Sequence, residues 1–331
     1  MSQRVFLRHL VRHTPRVAFS RLRNGPSRPS WSFGFELFTT AMRGAALDIG
    51  RLDWQGQRLA YDALANGYAP VLRRVTREPT TAFGVPATWF VPKAPGGAGT
   101  LDTDVTLLYF HGGAYIFGST RTHAELIARL ALATPARTLA PEYRLAPEHP
   151  FPAAIEDAVS VYRTLLASGA DPKRIVVAGD SAGGGLTLAL LQKLREAGDP
   201  LPAGAALLCP WVDLTAKGGS LTDNAAFDWS NEEIGERWIE AYLDGHDRRD
   251  PLASPVFADL GGLPPLLVQV GGAELLHDQA MTLAAHAKEA GVDVRLVVEP
   301  DMVHDWQAFA GLFSQCARAI DDVGAFVRSV T

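Results

Sequence analysis

The sequence predicts a mainly parallel sheet with helices on both faces, and three observations carry that expectation. From residue 105 onward, short, predominantly apolar runs recur without strict polar alternation. Strands that are buried on both faces read this way, whereas half-exposed strands alternate. Helix-length segments separate the runs, as parallel crossovers require. Several runs end abruptly in glycine-rich or acid-containing turns, and in open parallel sheets functional residues gather at the carboxyl ends of strands.

The elements follow in chain order. Residues 1 to about 65 read as helical and are expected outside the sheet, as a helical cap, with 66–331 as the domain that holds the sheet and 1–25 as a segment free to fray. The runs Val71–Thr76 and Pro86–Val91 are expected to form an antiparallel hairpin at one sheet edge. Pro92–Thr103 is a loop by its Pro and Gly content. Strands are expected at Val105–Phe110, Arg137–Pro141, Ile175–Gly179, Ala205–Cys209, Leu266–Val270 and Val294–Val298. Helices are expected at Thr122–Leu132, Pro152–Ser168, Leu186–Ala197, Glu232–Tyr242, Asp278–Ala290 and Asp305–Val330.

Bulk properties narrow the function. Hydrophobic residues make up 47% of the 331 and charged residues 20%, enough for a large core. A net charge of −5 gives no basic footprint for nucleic acid. Cys209 and Cys316 stand far apart and match no CxxC pattern, so buried free thiols are expected rather than a disulfide or a zinc site. No apolar run is long enough for a transmembrane helix. The first 35 residues hold seven arginines and no acid. These arginines interrupt every apolar stretch, which excludes a secretory signal, and a cytoplasmic location is expected. Arg4, Arg8, Arg12 and Arg16 recur every fourth residue among Val5, Phe6, Leu7, Leu10 and Val11. We read this first as the solvated face of a cap helix. Contact with a membrane surface is the alternative.

The chemistry-bearing residues lie past four strand ends. His111-Gly112-Gly113-Ala114-Tyr115 follows Phe110, and Gly179-Asp180-Ser181-Ala182-Gly183 follows Ala178. Glu274 to Asp278 follow the next-to-last strand, and His304-Asp305-Trp306 follow the last. A phosphate loop is excluded, because Gly185 and Leu186 stand where Lys and Ser/Thr are needed. G-x-S-x-G between strand and helix is instead the pattern of a nucleophile elbow, with small neighbours tolerating a tight turn. Two side-chain-free residues, Gly112 and Gly113, let backbone N–H groups approach a substrate carbonyl, and with Ala182 would form an oxyanion hole. The order serine, acid, histidine suits a triad of Ser181, Glu274 and His304. Asp278 is kept as the alternative acid, with helix capping as its other reading, and Asp213 as a more distant one. A base of this kind implies that activity falls in acid. Tyr115, Phe117, Trp211, Trp229 and Trp306 are candidate pocket aromatics, of which Tyr115, Trp211 and Trp306 are taken as substrate-binding. Trp31, Phe33, Phe35 and Phe38 are candidates for the entrance.

Four blocks together, HGGAYIFGSTRTH, APEYRLAPEHPFPAAIEDA, GDSAGG and the acid and histidine loops, resemble the hormone-sensitive-lipase-like α/β-hydrolases, the GDSAG-type bacterial esterases. The resemblance covers about residues 30–325. It implies an α/β-hydrolase fold with a helical cap drawn partly from the N-terminus. It also implies hydrolysis of short- to medium-chain carboxylic esters through an acyl-enzyme, with no cofactor or metal and a small-molecule ester as partner. It places the nucleophile on Ser181, the base on His304 and the oxyanion hole on Gly112, Gly113 and Ala182. The family's usual Asp-x-x-x-Asp is Glu274-Leu275-Leu276-His277-Asp278 here, a departure that leaves the acid open between its two ends. His111 is expected to brace its loop, and Glu142, Arg144 and Glu148 to be structural. Such proteins are often dimers through an edge strand, so a homodimer is considered. Amidase, lactonase or deacetylase activity is the alternative chemistry. A ligand receptor without catalysis is the alternative class, and the presence of His304 argues against it.

Overall fold

The computed structural model describes residues 2–64, 69–94, 99–100 and 103–331. Eight strands form one sheet in the order β1-β2-β4-β3-β5-β6-β7-β8. They are β1 (Val75–Ala82), β2 (Val85–Pro92), β3 (Thr106–Phe110), β4 (Arg137–Pro141), β5 (Ile175–Asp180), β6 (Gly204–Leu208), β7 (Leu266–Gly271) and β8 (Val294–Glu299). From β4 across to β8 all neighbours are parallel, while β1–β2 and β2–β4 are antiparallel. The six expected parallel strands are present, shifted by at most a residue. Strands β3, β5 and β6 are buried along their whole length, which is why they read as unbroken apolar runs.

Chain direction across the sheet reverses at β3. From there the crossover leads outward to β4 and then back past β3 to β5. The carboxyl ends of β3 and β5 therefore flank the switch point where open sheets form their crevice. The HGG and GDSAG loops leave from those two ends.

The helices are α1 (Ser2–Asn24), α2 (Phe33–Gly50), α3 (Trp54–Leu64), α4 (Ala124–Ala133), α5 (Ala153–Ala167), α6 (Ala182–Ala197), α7 (Ser220–Asp223), α8 (Glu232–Leu243), α9 (His277–Glu289) and α10 (Ser314–Val330). The first three lie outside the sheet, and the segment expected to fray is helical. They join α7 and α8 in a cap. Arg28 donates to Asn224 Oδ1, Arg43 to the Ala225 carbonyl and Trp238 Nε1 to Gln57 Oε1. The expected boundary at 65–66 falls outside the described residues, as do 95–98 and 101–102 of the expected loop.

Two expectations are corrected. The hairpin's first strand starts at Val75, not Val71, because Pro70–Arg74 forms a 3-10 turn. Its two-residue turn, Phe83-Gly84, has positive φ at both positions (45° and 83°), the geometry that follows strand twist. The helix expected over Asp305–Val330 is two pieces, a 3-10 turn at Trp306–Phe309 and then α10. Asp305 takes a left-handed conformation (φ 50°), which a continuous helix could not contain.

Candidate active site

The serine is held by a strained turn. β5 ends at Asp180 and α6 begins at Ala182, so Ser181 alone makes the reversal, at φ 54° and ψ −119°. Its N–H donates to the Leu208 carbonyl at 2.8 Å and its carbonyl accepts from Trp211 N at 2.9 Å, which offsets the strain. The glycines around it are spatial necessities. A Cβ on Gly183 would stand 2.1 Å from the Phe110 carbonyl oxygen, and one on Gly179 2.3 Å from that of Gly183.

His304 Nε2 lies 2.9 Å from Ser181 Oγ, across 123 residues of sequence. Its Nδ1 faces Glu274 Oε1 at 3.6 Å. Glu274 is fully buried, and its other oxygen accepts the Gly271 N–H at 2.8 Å. Asp278, the alternative acid, sits in the first turn of α9 with an oxygen on the Ser220 N–H and the other near His277. Asp213 holds Thr215. The structure thus brings Ser181, His304 and Glu274 together and leaves Asp278 and Asp213 out of that line.

A second carboxylate crowds the imidazole. Asp305 Oδ2 is 3.3 Å from His304 Nε2, the same nitrogen that meets the serine. Burial works against a charge on His304, but Asp305, then Glu274 and Asp228, outweigh it and pull the group up to about 10. Burial also raises the Asp305 carboxyl, and the Asp180 and Glu274 carboxylates add to the shift against the pull of His304.

The glycine loop requires a correction. The Gly112 N–H donates to Asp180 Oδ1 at 2.9 Å, so it faces inward to a buried carboxylate rather than to a substrate. Asp180 also accepts from Tyr109 OH and faces His123 Nε2 at 3.3 Å. Burial opposes a charge there, but His123 and these donors hold the carboxyl below its usual range. Asp180 thereby ties the elbow to the HGG loop. His111 braces that loop as expected. It stacks on Tyr143 at 4.4 Å, and burial, with His123 beside it, drives its pKa down to about 3, leaving it neutral.

Two cavities meet at Ser181 and His304 and share Ala114, Trp229 and Trp238. One extends along Trp211, Leu221, Ile239 and Leu275. The other runs toward Met42, Ala46 and Phe117, so the cap supplies walls to both. Of the three aromatics taken as substrate-binding, only Trp211 lines either of these two cavities. Tyr115 stacks on Tyr242 at 3.9 Å and is 2% exposed. Trp306 is 1% exposed and packs in the core beneath the sheet end. Both are large aromatics beside strand ends, and burial of their area decides their place. Trp31 and Phe35 are likewise core.

Trp229, a candidate pocket aromatic, lines both cavities, and its contact with the loop bearing His304 and the neighbouring Asp228 were not foreseen. Trp229 Nε1 donates to the His304 carbonyl at 2.7 Å, and Asp228 Oδ2 accepts the Leu275 N–H beside Glu274. Burial pushes the Asp228 carboxyl up to about 6, against the pull of His304. No local pattern marks these two contacts, because the partners are 75 and 47 positions away.

Known proteins resemble this chain in sequence and fold. A family model described as the alpha/beta hydrolase fold matches residues 107–308. An acetyl-hydrolase of Streptomyces hygroscopicus is 44% identical over 276 residues, 83% of this chain and 90% of that protein. Among solved structures, an esterase of the bacterial hormone-sensitive lipase family is 44% identical with a TM-score of 0.80, covering 87% of this chain and 98% of that one. EstE5, in a crystal structure soaked with p-nitrophenyl butyrate, is 36% identical with a TM-score of 0.79 over 97% of this chain and 98% of that one. With its motifs, sheet order and elbow all in agreement, the chain belongs to the hormone-sensitive-lipase-like branch of the α/β-hydrolases.

Proposed function

We propose that the protein is a serine carboxylesterase whose nucleophile is Ser181. The observation that carries this reading is the 2.9 Å approach of His304 Nε2 to a serine oxygen held at a positive-φ elbow between two cavities. Relatives named acetyl-hydrolase and esterase support ester hydrolysis as the chemistry. His304 takes the Ser181 proton as Oγ attacks the ester carbonyl, and returns it to the leaving alcohol. A water activated by the same imidazole then releases the acid and frees the serine. Glu274 orients the ring through Nδ1. The 3.6 Å separation fits an apo site that tightens around the imidazolium.

The oxyanion donors are the N–H groups of Gly113, Ala114 and Ala182. Gly113 and Ala114 line the cavity, whereas the Gly112 N–H is already engaged. Ala182 opens α6, where free N–H groups and the positive end of the helix favour negative charge. Two apolar cavities beside the nucleophile suit an acyl chain and an alcohol of short to medium length.

The test is intact mass after a fluorophosphonate probe, beside turnover of p-nitrophenyl butyrate, on wild type and Ser181→Ala. One adduct and turnover on the wild type, both absent in Ser181→Ala, are expected. A folded wild type with neither adduct nor turnover would overturn the reading and favour a non-catalytic receptor.

A further inference from the structure

α1 has two apolar faces, and only one is used inside the molecule. Inward, Val17 is buried, Phe6 meets Phe38 edge-on at 5.8 Å, and His9 lies on Gly44 with its Nε2 at 2.9 Å from Asp48. Arg21 pairs with Glu36 and donates to the Trp31 carbonyl. These contacts fix the rotation of the helix and so fix what points outward. Leu7, Val11, Phe19 and Leu22 do so, at 58, 67, 67 and 88% exposure, with Pro15 exposed among them. Steps of three and four residues set all five on one side of the helix. Four of the nine large exposed hydrophobics among the described residues lie here. Scattered single exposures are ordinary, but a continuous row marks an interaction surface.

The charges on the same helix select the partner. Arg4, Arg8, Arg12, Arg16 and Arg23 are exposed, and α1 carries no acid, in a chain of net charge −5. Arg8 shares Asp48 with His9. A second copy on this face would set one arginine row against another. A nucleic acid would satisfy the arginines and waste the apolar row. An anionic bilayer satisfies both, since headgroup phosphates suit guanidinium forks and the acyl boundary suits the Leu, Val and Phe side chains.

We propose that the outer face of α1 docks the protein, lying flat, on an anionic lipid surface. Among the described residues no helix is long and apolar enough to cross a membrane, so the contact is interfacial. α1 packs on α2, whose Met42 and Ala46 wall the second cavity at Ser181, so one cap carries both the docking face and a wall of the site. The inference stands apart from the reaction, because it uses no residue of the catalytic site.

The test is co-sedimentation of the full chain with vesicles of phosphatidylcholine alone or mixed with phosphatidylglycerol, at low and high salt. Binding is expected on the mixed vesicles and not on phosphatidylcholine alone, with loss at high salt. The double variant Arg12→Ser with Arg16→Ser should weaken partition about 25-fold, roughly fivefold per arginine. Phe19→Glu with Leu22→Glu should abolish it. All four residues are exposed, so circular dichroism melting should match the wild type in both variants. The proposal fails if the wild type does not bind mixed vesicles at low salt, or if neither variant weakens binding. It fails equally if ultracentrifugation shows a dimer that Phe19→Glu with Leu22→Glu dissociates, since a second copy would then cover the stripe.

Discussion

His304 is pulled two ways at one nitrogen. In the proposed reaction Nε2 receives the Ser181 proton, yet Asp305 Oδ2 stands 3.3 Å from it and favours the imidazolium. A group whose pKa is raised toward 10 is neutral, and so able to act as base, only as pH climbs. The acid limb of kcat/KM is therefore expected above 6.5, the ordinary value for histidine. Asp305→Asn removes a negative charge, lowers the imidazole pKa and should move that limb to lower pH, so that relative activity near neutrality rises. A limb unmoved in Asp305→Asn would show that Asp305 does not tune the base. The acid is separable in the same way. Glu274→Gln should lower kcat about 10⁴-fold by losing the carboxylate that orients Nδ1. Asp278→Asn keeps an acceptor for the Ser220 N–H and should leave turnover nearly unchanged. Steady-state kinetics on the two variants checks both expectations.

At the scale of elements, the site is a junction of two turns. The elbow after β5 and the loop after β3 meet through Asp180, which accepts the Gly112 N–H from one loop while adjoining the serine of the other. Gly113 makes the loop's tightest passage. Its φ is +123°, and a Cβ there would stand 2.1 Å from the Phe117 carbonyl oxygen. Gly113→Ala must displace that backbone, and with it the N–H groups proposed to hold the oxyanion. Loss of one such donor costs about 10²–10³ in kcat. We expect a drop of that order with the adduct-forming serine still present. Wild-type kcat in Gly113→Ala would remove this loop from the oxyanion hole. The same physics explains what was legible. Gly179, Gly183 and Gly113 stood out in the sequence because backbone crowding there excludes side chains. Gly112 was assigned to the oxyanion hole together with Gly113, and its engagement elsewhere was not legible, because it depends on which N–H faces Asp180.

The whole molecule joins a sheet to a cap built from two distant stretches, α1–α3 and the segment holding α7 and α8. Trp31 Nε1 donates to the Asp301 carbonyl and Trp229 Nε1 to that of His304, so the cap grips the loop bearing His304 from both parts. Aromatic residues therefore divide by tertiary place rather than by type. Trp306 sits in the core, and Trp306→Ala should cost about 3–5 kcal/mol of stability, read as a lower denaturation midpoint. Trp211 lines the first cavity. Trp211→Ala should instead widen acyl-chain acceptance, measured across p-nitrophenyl esters of increasing length. An unchanged chain-length profile in Trp211→Ala would remove that cavity from acyl binding.

The sequence by itself determined the parallel strands, the helices between them, the elbow at Ser181 and the late histidine at His304. Each of these follows from local constraints: two-faced burial makes a strand uniformly apolar, and a cramped turn admits only small residues. It also showed the arginine row of α1 without showing which side of the helix faces out. Only the tertiary structure decided that Glu274 rather than Asp278 faces His304 and that Asp180 occupies the Gly112 N–H. It alone placed Trp306 inside, brought Asp228 to the site, bonded Trp229 to the His304 carbonyl and turned Leu7, Val11, Phe19 and Leu22 outward. Such outcomes depend on which groups meet across tens or hundreds of residues. Competition among buried carboxylates, donors and apolar surfaces for a few places settles them, and no local pattern encodes its result.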